Sequence, residues 1–113
     1  VYKRQPLILS GGALNVQDTV VTTIGSQTDM VATVLAQLGM DHSGYKFSRN
    51  LLADQVIPFA FFSYPNGAGV VTEKGSTYFS LQSQTFVEKD SVKEDGRLLK
   101  AYLQAINEDF NRQ

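Results

Sequence analysis

Gly25-Ser26-Gln27-Thr28-Asp29 sets two hydroxyls, an amide and a carboxylate directly before the apolar run Met30-Val31-Ala32-Thr33-Val34-Leu35. A Ser or Thr hydroxyl becomes a nucleophile when a neighbouring base activates it, so these residue types permit a reactive loop. They also suit the start of a helix. Ser26 is a favoured N-cap, and Asp29, three residues on, approximates a capping box with Asp in place of the usual Glu. Its charge meets the positive end of the helix dipole. His42 is the single imidazole of the chain. Asp41-His42 invites a metal reading, but sequence neighbours usually point apart and two ligands are too few, so His42 reads as an ordinary loop histidine. A Ser-His-Asp triad could be assembled from His42, a serine and Asp29 or Asp54. No G-x-S-x-G elbow supports it, and capping already accounts for Ser26. Gly11-Gly12 and Gly67-Ala68-Gly69 match neither the phosphate-cradling nor the dinucleotide-binding glycine pattern, and read as turns. The aromatic stretch 59–64 lacks the interleaved basic residues of a base-stacking surface and reads as sheet core. On residue chemistry alone the chain holds no complete catalytic, cofactor-binding or metal site.

The elements that would position these residues are read from periodicity. Leu7-Ile8-Leu9, ended by Ser10-Gly11-Gly12, predicts a short strand buried on both faces, as in a parallel sheet. Residues 19–24 are rich in β-branched side chains and suit an extended piece. A helix is expected over 27–38, with Met30, Val31, Val34, Leu35 and Leu38 on one apolar face and Gly39 as its C′ residue. Strands are expected at 59–64, 70–72, 77–81 and 85–87, joined as antiparallel hairpins by turns at 65–69 and 74–75. A second helix is expected over 92–110, capped by Ser91-x-x-Glu94 and packed through Leu98, Leu99, Tyr102, Leu103, Ile106 and Phe110.

Bulk properties narrow the classes. The 113 residues suit one domain or part of one, and 42% hydrophobic with 19% charged residues describes a folding sequence. Ten Lys and Arg against eleven Asp and Glu give a net charge of -1, with no basic run, so nucleic acid is not an expected partner. The nearly uncharged stretch 56–71 is broken by Pro58, Pro65, Asn66 and glycines, so neither a membrane span nor membrane contact is expected from this segment. The absence of cysteine excludes disulfides and thiolate sites. Val1-Tyr2-Lys3-Arg4-Gln5 has neither a strand pattern nor a signal-peptide core. It reads as foreign to the rest of the chain, which from Pro6 onward reads as cut from within a longer protein.

One resemblance organises these features. Pro6-Leu7-Ile8-Leu9-Ser10-Gly11-Gly12, then Ile24-Gly25-Ser26-Gln27-Thr28-Asp29, then Ala32-Thr33-Val34-Leu35-Ala36-Gln37-Leu38-Gly39 closely resemble the C-terminal part of sulfatase-like enzymes. The nearest type is lipoteichoic acid synthase or phosphoglycerol transferase, in the alkaline phosphatase superfamily. Phe47-Ser48-Arg49-Asn50-Leu51-Leu52 and Phe59-Ala60-Phe61-Phe62 extend the likeness over about residues 6–110. The resemblance implies an α/β fold: the C-terminal part of an alkaline phosphatase-like mixed sheet, with antiparallel hairpins and a C-terminal helix. Residues 6–52 would end the α/β core, and 53–113 would supply hairpins and helix. It implies chemistry on phosphoglycerol, phosphodiester or sulfate esters at the extracytoplasmic face of the cell membrane. A Thr nucleophile, or a modified Cys or Ser, and the Asp, Glu and His ligands of a divalent metal would precede residue 6. This chain would then hold neither metal nor cofactor, and its partner would be the rest of the parent catalytic domain. Asp41-His42 lacks the glycine expected after the family's Asp-His metal pair and does not map onto it. Gly25, Ser26, Gln27 and Asp29 are accordingly expected to be a structural helix cap. A non-enzymatic small α+β binding module and a pseudo-enzyme fragment are the alternatives that these residues leave open.

Overall fold

Four strands, β1 Phe59–Tyr64, β2 Gly67–Thr72, β3 Gly75–Ser80 and β4 Thr85–Lys89, form one antiparallel sheet in sequential order. The computed structural model describes residues 4–89 and 93–112. Tyr64 pairs with Gly67, so the first turn is only Pro65-Asn66 and β2 begins three residues before the expected strand. Gly67 and Gly69 therefore belong to the strand. Their bare backbone makes room for aromatic rings: a Cβ on Gly69 would lie 2.3 Å from Phe62 Cζ. Glycine inside a strand commonly marks such a close approach.

Helix α2, Lys93–Phe110, lies across one face of the sheet and packs on β2 and β3. Phe59, Ala68, Val70 and Leu99 form the buried centre, with Phe61, Phe79, Phe86, Leu98, Tyr102 and Leu103 around it. Alternation along the strands produces this face, since successive side chains point to opposite sides. Phe110, expected on the packing stripe, is instead exposed. The buried Asp95 carboxylate accepts from Thr72 Oγ1 at 3.0 Å and ties the first turn of α2 to the end of β2. The expected Ser91 cap lies outside the described residues.

Before the sheet come a 3₁₀ turn, Gln27–Asp29, and helix α1, Met30–Gln37. The helix ends in a Schellman motif. Met40 N–H donates to the Leu35 carbonyl at 2.9 Å and Gly39 N–H to that of Ala36 at 3.1 Å, with Gly39 at φ 66°.

One expectation fails here. Leu7-Ile8-Leu9 is not a buried strand: residues 4–10 carry no ladder, and Ile8 is 84% exposed. A strand exists only where a neighbour takes its backbone hydrogen bonds, and no described segment runs alongside. Residues 19–24 likewise lie outside the sheet. The described architecture is thus α+β: one antiparallel sheet of four strands, a short helix and a C-terminal helix.

Helix α1 meets the described core through one side only. Asp29, Ala32 and Thr33 are buried, whereas Met30, Val31, Val34 and Leu38 of the apolar face are each exposed and Leu35 is half-buried. The helix is held by its polar and small side, for reasons found in the contacts of Asp29.

Candidate functional site

Asp29 is fully buried, and both of its oxygens are occupied. Oδ1 accepts the backbone N–H of Arg49 at 2.9 Å and its Nε–H at 3.0 Å. Oδ2 accepts the N–H of Ser26 at 2.7 Å and the Arg49 Nη2 in a short, charge-assisted bond. This two-point pairing suits Arg, whose planar fork matches a carboxylate in a way that a lysine cannot. The remaining Arg49 donors reach the Ile57 carbonyl at 2.7 Å and the Phe59 carbonyl at 2.8 Å. The guanidinium carbon also lies 3.8 Å over the centre of the Phe59 ring.

Ser26 caps α1's 3₁₀ start as the sequence pattern suggests, and the bond from its own N–H to Asp29 is the return arm of the capping box. Its hydroxyl has a further partner, the N–H of Phe61, at 2.7 Å. Phe59 and Phe61 share one register of the pleat, so both turn these backbone groups toward the outer edge of β1. Arg49 and Ser26 thereby close part of an edge that would otherwise present open donors and acceptors.

Two hydroxyls complete the joint. Ser48 Oγ accepts the Ala32 N–H at 2.8 Å and donates to the Thr28 carbonyl at 2.7 Å, satisfying a first-turn N–H of α1 from another segment. Thr33 Oγ1 donates to the Asp29 carbonyl at 2.7 Å and accepts the Leu51 N–H at 3.0 Å. Among the described residues no buried side-chain nitrogen or oxygen lacks a partner. Satisfied polar groups of this kind fix a geometry, whereas a nucleophile or general base needs a lone pair left for substrate.

Tyr102 of α2 borders the joint. Its ring meets Phe47, Phe59 and Phe61 at centroid distances of 5.6, 5.7 and 4.6 Å, and its hydroxyl donates to the Phe47 carbonyl at 3.3 Å. Burial, then the Asp29 charge, push its phenol above the ordinary 10.0, against the opposing pull of Arg49 and Thr28. The folded state therefore holds this proton more tightly than the unfolded chain. Stability from Tyr102 is complete below pH 10.0 and declines as pH rises toward the folded value. Tyr102→Phe is expected to flatten the alkaline limb of a stability-against-pH curve, measured by urea unfolding. An unchanged alkaline limb would contradict this reading of the phenol.

The other candidate residues do not converge here. Gly25 sits beneath Leu51, whose Cδ2 would be 2.5 Å from an added Cβ, and Gln27 is exposed. Asp41 is exposed and accepts from Ser43 N–H at 3.1 Å and Ser43 Oγ–H at 2.9 Å. These bonds, the backbone one first, hold its carboxyl below the usual 3.8, with the nearby His42 adding to the effect. Of the two acids that a triad with His42 could use, Asp29 is occupied by Arg49 and Ser26, and Asp54 is exposed. Among the described residues no three His, Cys, Asp or Glu side chains converge as metal ligands. The partner that sequence reading missed is Arg49. It is the lone arginine between residues 5 and 96, and nothing in the local sequence marks its pairing with Asp29 twenty residues earlier.

No family model, curated protein or solved structure matches this chain. No helix among the described residues is long and apolar enough to cross a membrane.

Proposed function

We propose that this chain is the C-terminal structural part of a sulfatase-like enzyme of the lipoteichoic acid synthase or phosphoglycerol transferase type. The parent acts on phosphoglycerol, phosphodiester or sulfate esters at the extracytoplasmic face of the membrane. Its fold is the C-terminal part of an alkaline phosphatase-like mixed sheet, with nucleophile and metal ligands supplied from before residue 6.

The observation that carries this reading is the orientation of α1. A helix whose Asp29, Ala32 and Thr33 are buried while Met30, Val31, Val34 and Leu38 are exposed has its apolar side turned away from the described core. Leu7, Ile8, Val20 and Val21 are exposed as well. Apolar side chains gathered on one exposed helix face suit an interface, and the rest of the parent catalytic domain is the partner that the resemblance supplies. In this reading the residues from Gly25 to Asp29 hold α1 at a fixed angle to the hairpins, and the α1 face supports the catalytic sheet.

The purified chain is expected to show no turnover of p-nitrophenyl phosphate or p-nitrophenyl sulfate above that of the free divalent metal. Metal-dependent turnover abolished by His42→Ala would overturn the proposal. The upstream reading frame gives an independent test: a Thr, Cys or Ser nucleophile with an Asp-His-Gly pair supports an enzyme, and their absence from a complete frame would leave a binding module or pseudo-enzyme.

A further inference from the structure

Asn66 ends the two-residue turn of the β1–β2 hairpin and Gly67 begins β2, and the chemistry of this pair is independent of the joint at Asp29. The Asn66 side chain is exposed, and Gly67 has no side chain to obstruct attack by its own nitrogen. We propose that Asn66 is a deamidation site gated by the fold. In the reaction Gly67 nitrogen loses its proton to solvent and bonds to Asn66 Cγ. The side-chain nitrogen takes up a proton and leaves as ammonia. Water then opens the cyclic imide at either of its C–N bonds, leaving aspartate or isoaspartate at position 66, with no change of oxidation state.

The closed hairpin opposes the first step. Ring closure requires the Asn66–Gly67 peptide to rotate until its nitrogen faces Cγ. That peptide is held at its carbonyl by Leu81 N–H at 2.8 Å. Gly67 itself lies in an inner strand, in register with Tyr64 on one side and Ser80 on the other. Pro65 restrains the turn from its other end by fixing its own φ. Reaction therefore needs local opening of the hairpin end. The labile pair is nevertheless built in, because a Cβ on residue 67 would lie 2.0 Å from the Phe79 carbonyl oxygen. Isoaspartate adds a methylene to the main chain of a two-residue turn, and turn length sets strand register. Opening followed by reaction is thus a one-way event for this hairpin.

The test is incubation of the full chain at mildly alkaline pH, folded and in urea, with isoaspartate at position 66 read by peptide mapping and isoaspartyl methyltransferase labelling. The product is expected to form at least about ten times faster in urea than in the folded chain, as for a reaction that needs local opening. Asn66→Gln is expected to abolish it. Leu81→Pro, which removes the N–H that holds the peptide, is expected to react faster than the folded wild type. If that variant does not fold, the wild-type rate measured in rising urea below the unfolding transition gives the same reading and should climb. Equal rates in the folded and urea-unfolded chain would overturn the gating. Absence of isoaspartate at 66 in urea, over a time in which a Tyr-Pro-Asn-Gly-Ala peptide reacts, would overturn the site.

Discussion

Asp29→Ala is expected to destabilise the chain by about 3–5 kcal/mol, the range for removing one partner of a buried ion pair. The loss comes chiefly from what remains. Arg49, with its side chain only 24% exposed, keeps its charge without the carboxylate, and the N–H groups of Ser26 and Arg49 lose their acceptor. The pair need not be worth that much over an apolar substitute, since desolvating two charges offsets most of their attraction. Asp29→Leu combined with Arg49→Met is therefore expected to lose less than the sum of the single variants. Urea unfolding measures both, through a shift in midpoint at constant slope. Added salt should change the Asp29→Ala penalty little, because burial limits screening. A loss below about 1 kcal/mol, the range of exposed pairs, would contradict the joint described for Asp29.

Gly67→Ala is expected to be comparably damaging for a steric reason. The new Cβ would lie 2.0 Å from the Phe79 carbonyl oxygen and 2.5 Å from the Tyr64 hydroxyl. A side chain can move aside, but the carbonyl belongs to the backbone of β3, so relief requires β2 and β3 to separate locally. Overpacking typically costs about 1–3 kcal/mol and occasionally more, and a backbone contact places this variant at the upper end. Gly12→Ala is the control: nothing lies within 4 Å of its added Cβ, and an effect within about 0.5 kcal/mol is expected. Equal melting temperatures for the two variants would show that the close approach of β2 to β3 is absent in solution.

The local elements were legible in the sequence because local rules decide them. Ser26, Asp29 and Gly39 mark the ends of α1 through capping and a left-handed glycine, and both act there. Alternating aromatic and β-branched residues marked the hairpins. The strand boundaries around Gly67 were not legible, because glycine reads as turn unless the rings of Phe62 and Tyr64 are known to lie over it. The Leu7-Ile8-Leu9 segment has the composition of a strand, but strand formation depends on a neighbour that composition does not reveal. For α1, hydrophobic periodicity identified an apolar face but not the side on which the helix meets the described core. What packs inward is decided by Asp29, which meets an arginine twenty residues away, and a contact of that separation leaves no periodic trace.

The joint also gives physical content to the distinction between a reactive loop and a helix start. Every polar atom that Ser26 and Asp29 offer is engaged with the helix, Arg49 or the β1 edge. Their contribution to catalysis in the parent would be to hold α1 and the hairpins in a fixed relation, a role that acts through stability rather than on the barrier.

Melting temperature and kcat measured together, on the full-length enzyme proposed as the parent of this chain, separate those two roles most directly. Ser26→Ala is the informative variant, because it leaves the buried charge pair intact while removing the acceptor of the Phe61 N–H. The expected result is a lower melting temperature, from a loss of about 0.5–2 kcal/mol, with kcat per folded molecule unchanged. A fall in kcat of about a thousandfold, roughly 4 kcal/mol in the barrier, at unchanged melting temperature would place Ser26 in the transition state and contradict its assignment as a structural cap.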